Sequence, residues 1–118
     1  MQPRNFIVEK PWGIAECIFK NSVTEIWRND ILSGGESSGG KFHFHKLKYN
    51  QFYLEDGTLE LYLFTSNSEE KKIVLTGDNP HFIVFPRVRH RFKAVEECIL
   101  YEIYWTYCSP KDIKRDGE

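Results

Sequence analysis

The feature that most constrains the fold is an alternation of period two that recurs along most of the chain. Leu59, Leu61 and Leu63 alternate with Glu60, Tyr62 and Phe64. Phe42 and Phe44 alternate with His43 and His45, and Cys98, Leu100, Glu102 and Tyr104 with Ile99, Tyr101, Ile103 and Trp105. Successive side chains of an extended backbone point to opposite faces, so this pattern reads as strands rather than helices. Val, Ile, Thr, Phe, Tyr and Trp crowd the same runs, as strands prefer. Turn signals separate the runs, among them Ser33-Gly34-Gly35, Ser38-Gly39-Gly40, Asp56-Gly57 and Gly77-Asp78-Asn79-Pro80. The spacing predicts strands over 5–9, 14–20, 23–32, 41–46, 50–56, 58–64, 71–76, 81–86, 90–95 and 98–107. Only Pro110 to Arg115 has the look of a helical turn. Many short strands at regular spacing imply an all-β sandwich or barrel.

Most of these strands carry bulky apolar groups on both faces, whereas a sheet face open to water is more polar. Two layers are therefore expected, with the outer face of one covered by a partner chain, giving a homodimer, or by the N-terminal segment. The chain of 118 residues is the size of one domain, with a core over 14–107, an N-terminal strand segment 1–13 and a C-terminal tail 108–118. Sixteen Lys and Arg face seventeen Asp and Glu, so no global field attracts nucleic acid or an anionic membrane. Locally, Arg87, Arg89, Arg91 and Lys93 form a basic run that reads either as a solvated rim or as an anion-binding mouth. Cys17, Cys98 and Cys108 are odd in number and widely spaced, which fits a reducing compartment, with Cys17 and Cys98 as core residues. No apolar run has the length of a membrane span, and Met1 to Lys10 lacks the apolar stretch of a signal peptide. A cytoplasmic location is expected.

His43 and His45 sit at i and i+2 of a predicted strand and must share a face. Two imidazoles about 6.6–7 Å apart along a strand can converge on one metal ion if a third comes from elsewhere. His90, opening another predicted strand after Pro86, is the candidate third. His81 follows Pro80 and is expected at a strand start, exposed.

The surroundings of these histidines resemble the two motifs of the cupin superfamily. In the run from Lys41 to Gly57, four residues separate His45 from Asn50 and six separate Asn50 from Gly57. This is similar to the first motif, a His-x-His followed by a Glu and then a Gly. The segment from Gly77 through Pro86 to His90 is similar to the second, and the nineteen residues between Gly57 and Gly77 suit the intermotif hairpin. The resemblance covers roughly residues 25–107 and implies a double-stranded β-helix, the jelly-roll barrel of cupins. It places His43, His45 and His90 on the three metal-ligand histidines. Asn50 stands where the family has its ligand Glu, and offers a neutral carbonyl oxygen in place of a negative charge. Arg87 stands where the second motif has a Gly, and Ala94 where it has an Asn. A divalent ion (Zn, Fe, Ni or Mn) is the implied cofactor, held more weakly than in the full motif.

A narrower resemblance joins the opening Glu9-Lys10-Pro11-Trp12-Gly13 and the tail from Cys108 to Asp116 to small sugar-associated cupins, including sugar-phosphate isomerase-type domains. It implies a sugar, sugar phosphate or organic acid as ligand. Isomerisation needs a Lewis acid at the carbonyl and a base that moves a proton between adjacent carbons. Glu102, on the parity of Leu100 and Tyr104, is the candidate base, since an inward carboxylate is costly unless paired or used. Arg87 and Arg89 are candidates for a phosphate or carboxylate, and Tyr53, Tyr62 and Tyr104 for the pocket lining. Trp12 reads as a core anchor or as a wall of the pocket mouth. A non-catalytic sugar-binding barrel and a three-histidine iron dioxygenase are the alternative functions.

Overall fold

Strands that are apolar on one side bury that side by facing a second sheet. The computed structural model describes residues 6–65, 67–106 and 117. Among them are nine strands: β1 (Phe6–Lys10), β2 (Gly13–Lys20), β3 (Thr24–Ile31), β4 (Lys48–Asp56), β5 (Leu59–Phe64), β6 (Glu70–Leu75), β7 (His81–Val84), β8 (His90–Ala94) and β9 (Cys98–Thr106). They form an antiparallel six-stranded sheet, β1-β2-β3-β9-β4-β7, and a three-stranded sheet, β6-β5-β8. The inward residues follow the alternation. Leu59, Leu61 and Leu75 of the small sheet pack with Ile31, Phe52 and Leu100 of the large one, all at most 1% exposed. Each such burial contributes about 1.5–3 kcal/mol. Cys17 and Cys98 are buried free thiols, as core residues would be. Cys108 and the expected helical turn at 110–115 lie outside the described residues. No helix among the described residues is long and apolar enough to cross a membrane.

The β4–β5 connection shows why a glycine ends the first motif. Gly57 has φ +99°, and a Cβ there would lie 2.4 Å from the Glu97 carbonyl oxygen, so only glycine allows both the turn and the close approach.

The predicted strand at 41–46 is not one. A 3-10 turn at Ser37–Gly40, with Ser38 and Gly39 in left-handed conformation, precedes it. The segment then meets β8 only at an isolated bridge between His43 and His90, and the Arg87 N–H reaches the His45 carbonyl. The ladder cannot lengthen because the chain before β8 turns at Pro86, where Val88 N–H bonds the Phe85 carbonyl and Arg87 has φ +69°. Side chains hold the segment instead. Phe42 packs on Phe64 with centroids 4.6 Å apart, and the Arg91 guanidinium lies between the Phe42 and Tyr62 rings.

The outer face of the large sheet is also apolar. Ile26, Ile103, Gln51 and Ile83 lie in register across four strands. Tyr49 stacks on Trp105 beside Phe85, which is 61% exposed. The N-terminal strand β1 adds to the edge of this sheet rather than covering its outer face.

Candidate metal centre

The backbone bridge is reciprocal: the His43 N–H bonds the His90 carbonyl at 3.0 Å and the His90 N–H bonds the His43 carbonyl at 2.8 Å. This pairing fixes the two residues side by side, and two residues further on His45 returns to the same side. The result is one cluster. A ligand atom of each of His43, His45 and His90 lies within 4.8 Å of the other two, and the ring centroids are 4.3–5.8 Å apart. Such spacing lets three imidazoles share one ion.

The chemistry of the donors fits a cation. The His90 Nδ1–H donates to the Val88 carbonyl at 2.8 Å, which leaves the Nε2 lone pair for a ligand. His43 Nδ1 is 3.2 Å from Ser38 Oγ, a partner that orients its ring in the same way. Burial pushes the His90 imidazole down to about 4, and burial lowers His43 and His45 as well. All three are thus neutral near pH 7, the form that binds metal. Three buried side-chain polar atoms among the described residues have no hydrogen-bond partner, Arg28 Nε, His45 Nε2 and Asn50 Oδ1, and the last two belong to this cluster. Orphaned acceptors in the interior call for an explanation, and a cation is one that suits both. Asn50 is 1% exposed, and its Nδ2 lies 3.4 Å from His90 Nε2. The three histidines therefore form a site for a divalent metal ion, with Asn50 at its side, where a bound ion polarises a carbonyl or carboxylate oxygen.

A cavity of about 390 Å³ opens between the sheets. His43 lines it, together with Glu102 and Tyr104 of β9 and Asn29 of β3. Glu102 accepts hydrogen bonds from Asn29 Nδ2 at 3.1 Å and from the Tyr104 hydroxyl. Burial raises the Glu102 carboxyl above the usual carboxylate range, against the hydrogen bonds from Tyr104, Asn50 and Asn29. Burial raises the Tyr104 hydroxyl well above its ordinary value too, with the Glu102 charge adding to it. A carboxyl poised this way is suited to carry a proton.

Several expected residues are elsewhere. Tyr53 is 46% exposed on the outer face of β4, one position out of phase with inward Phe52 and Leu54. Tyr62 lies on the outer face of the small sheet, where its hydroxyl donates to Glu60 and its ring carries Arg91. Arg89 lies over the Phe64 ring on that same side, and Arg87 is exposed in the turn. None of the four is among the residues that line this cavity. Tyr104 does line it. Trp12 fills both its expected roles, packing edge-on against Phe92 at 5.6 Å and lining the opening. His81 is exposed at the start of β7.

Asn29, Lys10 and the Glu25–Lys48 pair were not singled out by the sequence. Asn29 carries the same signal that marks Glu102, a polar residue on the inward parity of a strand, between Trp27 and Ile31. Lys48 Nζ lies 2.7 Å from Glu25 Oε2 near His45.

No protein-family model matches the sequence, and no curated protein does. Solved structures do match in fold. The Bacillus subtilis oxalate decarboxylase characterised for its Mn(II) centers superposes with a TM-score of 0.73 at 11% identity, over 92% of this chain. The Lactobacillus farciminis oxalate decarboxylase in its formate complex gives 0.72 at 9% identity, also over 92%. This chain spans only 29% and 32% of those two. The fold is that of the cupins, a double-stranded β-helix, and its inner wall carries a three-histidine site for a divalent metal.

Proposed function

We propose that the protein is a metal-dependent isomerase acting on a small sugar or sugar acid. The observation that carries this reading is the placement of a buried carboxyl, Glu102, on the cavity that His43 of the metal site also lines. His43, His45 and His90 would hold the metal, which would supply Lewis acidity to a substrate carbonyl. Glu102 would take the proton from the carbon next to the carbonyl and return it to the former carbonyl carbon, while the hydroxyl proton passes to the carbonyl oxygen, so that atoms and charge balance. Tyr104 and Asn29 hold the carboxyl in place for that transfer, and the aromatic walls exclude water. The free buried thiols support a cytoplasmic setting.

The test is proton exchange. Protein loaded with Mn(II) is incubated in D2O with aldose phosphates and sugar acids, and NMR follows deuterium entering the carbon next to the carbonyl. Exchange is expected with at least one substrate, lost in Glu102→Gln and in His43→Ala. Exchange that survives Glu102→Gln removes the assigned base.

A second reading, a barrel that binds a small ligand without turnover, is favoured by Asn50 in place of a charged ligand. Asn50→Glu separates the two. An added carboxylate raises metal affinity by about tenfold or more if the ion belongs beside this residue, as chelator competition reads it. Unchanged affinity places the ion away from Asn50.

A further inference from the structure

A positive charge stands at the solvent-exposed opening of the cavity. Lys10, the last residue of β1, lines the cavity beside Trp12 and makes no ion pair among the described residues. Its backbone is fixed there by the turn that follows, since Lys10 pairs with Gly13 across Pro11-Trp12, while its side chain is exposed. Gly13 has φ +148°, and a Cβ there would lie 2.0 Å from the Asp30 carbonyl oxygen, so the turn closes tightly onto β3. The other charged group on the cavity is Glu102, on which the Lys10 charge acts, so the two offset one another when the carboxyl is ionised. Lys48, near His45, is already paired with Glu25.

An ion at the histidine site would tip this balance to the positive side. Its donors, three imidazoles and the Asn50 amide, are all neutral, so a bound dication keeps its full charge. Lys10 adds one positive charge and Glu102 at most one negative. The wall between is aromatic, with Trp12, Trp27 and Phe52, and such surroundings screen charge poorly. Surplus positive charge in a partly buried site is favourable only when an anion offsets it. Arg87 and Arg89, which face away from the cavity, do not serve that purpose.

We propose that the cavity takes a small oxyanion, a carboxylate or a phosphate ester, whose charged group is held by Lys10 with the Ser38 hydroxyl at the opening. The inference rests on the metal-dependent reading for the surplus charge of the site, and on Lys10 for where the anion sits. Lys10 is then a specificity residue: it selects sugar acids or sugar phosphates over neutral sugars.

Trp12 and Trp27 line the cavity while Trp105 lies outside it, so fluorescence in a Trp105→Phe background reports occupancy. Gluconate, glucose 6-phosphate and glucose are titrated with and without Mn(II). Saturable quenching is expected with gluconate or glucose 6-phosphate, tighter with Mn(II), and not with glucose. The responding compound identifies the anion as a carboxylate or a phosphate. Lys10→Met should weaken that binding about tenfold, as loss of a charge-assisted contact does, and Lys10→Arg should largely retain it. The proposal is overturned if glucose binds as well as the anions, if neither anion quenches, or if Lys10→Met binds them like the parent. Mn(II) content, measured separately, tells the two readings apart. A parent protein that takes up Mn(II) but shows one of those failures loses only the anion anchor. One that takes up none, yet binds anions through Lys10, loses only the metal.

Discussion

At the scale of the residue, the site is defined by protons that burial displaces. His90 has its imidazole pushed down to about 4, and His43 and His45 shift the same way. The unfolded chain takes up protons on these rings at a pH where the folded protein does not. Stability from this source is thus full above an unfolded value near 6.5 and is lost as pH falls toward 4. For His90 alone this amounts to on the order of 3 kcal/mol. Glu102 acts in the opposite sense: its folded value is raised, so it costs stability as pH rises through that value. Metal-free protein should therefore show a melting temperature that falls from pH 7 to pH 4.5. In Glu102→Gln the fall should be steeper and the protein more stable at neutral pH. A pH-independent melting temperature would mean that the rings are solvated. Residue-scale chemistry was partly legible in the sequence. The inward carboxyl at 102 follows from strand parity alone. Tyr53 and Tyr62 stand off the cavity because strand phase, and not aromatic type, decides which face a side chain takes. Phe52 and Leu61 take the interior, so their neighbours face out.

At the scale of the element, the segment 41–46 carries the main lesson. Its alternation is that of a strand, yet pairing is set by the partner, and the chain entering β8 turns at Pro86–Arg87, so the segment keeps only the isolated His43–His90 bridge. Phe42, packed on Phe64 and under Arg91, supplies what the missing hydrogen bonds do not. Phe42→Ala should lower metal affinity by about tenfold while costing roughly 1–3 kcal/mol of stability. Equilibrium dialysis and denaturant unfolding would check the two numbers, and unchanged affinity would mean the bridge alone orders the histidines. In the Pro86 turn, Arg87 adopts the left-handed conformation that suits the glycine of the second motif. Arg87→Gly should relieve on the order of 1 kcal/mol of backbone strain, partly offset by the greater freedom of glycine in the unfolded chain. A melting temperature that drops would show that the arginine side chain contributes more than its backbone costs.

At the scale of the whole molecule, the two-sheet architecture and the inward set were legible because alternation and turn residues are local signals. Strand order was not, because β3 pairs β9 across some seventy residues and nothing local records that partner. The apolar outer row of Ile26, Ile103 and Ile83 with neighbouring Phe85 is where a second copy would be covered, and the homodimer expected from two-sided strands is tested there. Sedimentation velocity should give a dimer that Ile83→Lys and Phe85→Lys dissociate. A parent chain that sediments as a monomer at high concentration removes that expectation.

The site also straddles the two layers. His43, His45 and His90 belong to β8 and the stretch bridged to it, whereas Asn29, Asn50, Glu102 and Tyr104 ride on the six-stranded sheet. The imidazoles and the carboxyl thus have separate supports, bridged by Asn50, whose Nδ2 lies 3.4 Å from His90 Nε2 and bonds toward Glu102. Breathing of one layer against the other would change how far the carboxyl stands from the substrate while the imidazoles kept their mutual spacing. Metal retention and the poise of the carboxyl can accordingly be altered separately by substitutions within either layer, with Asn50 the position where a change would disturb both.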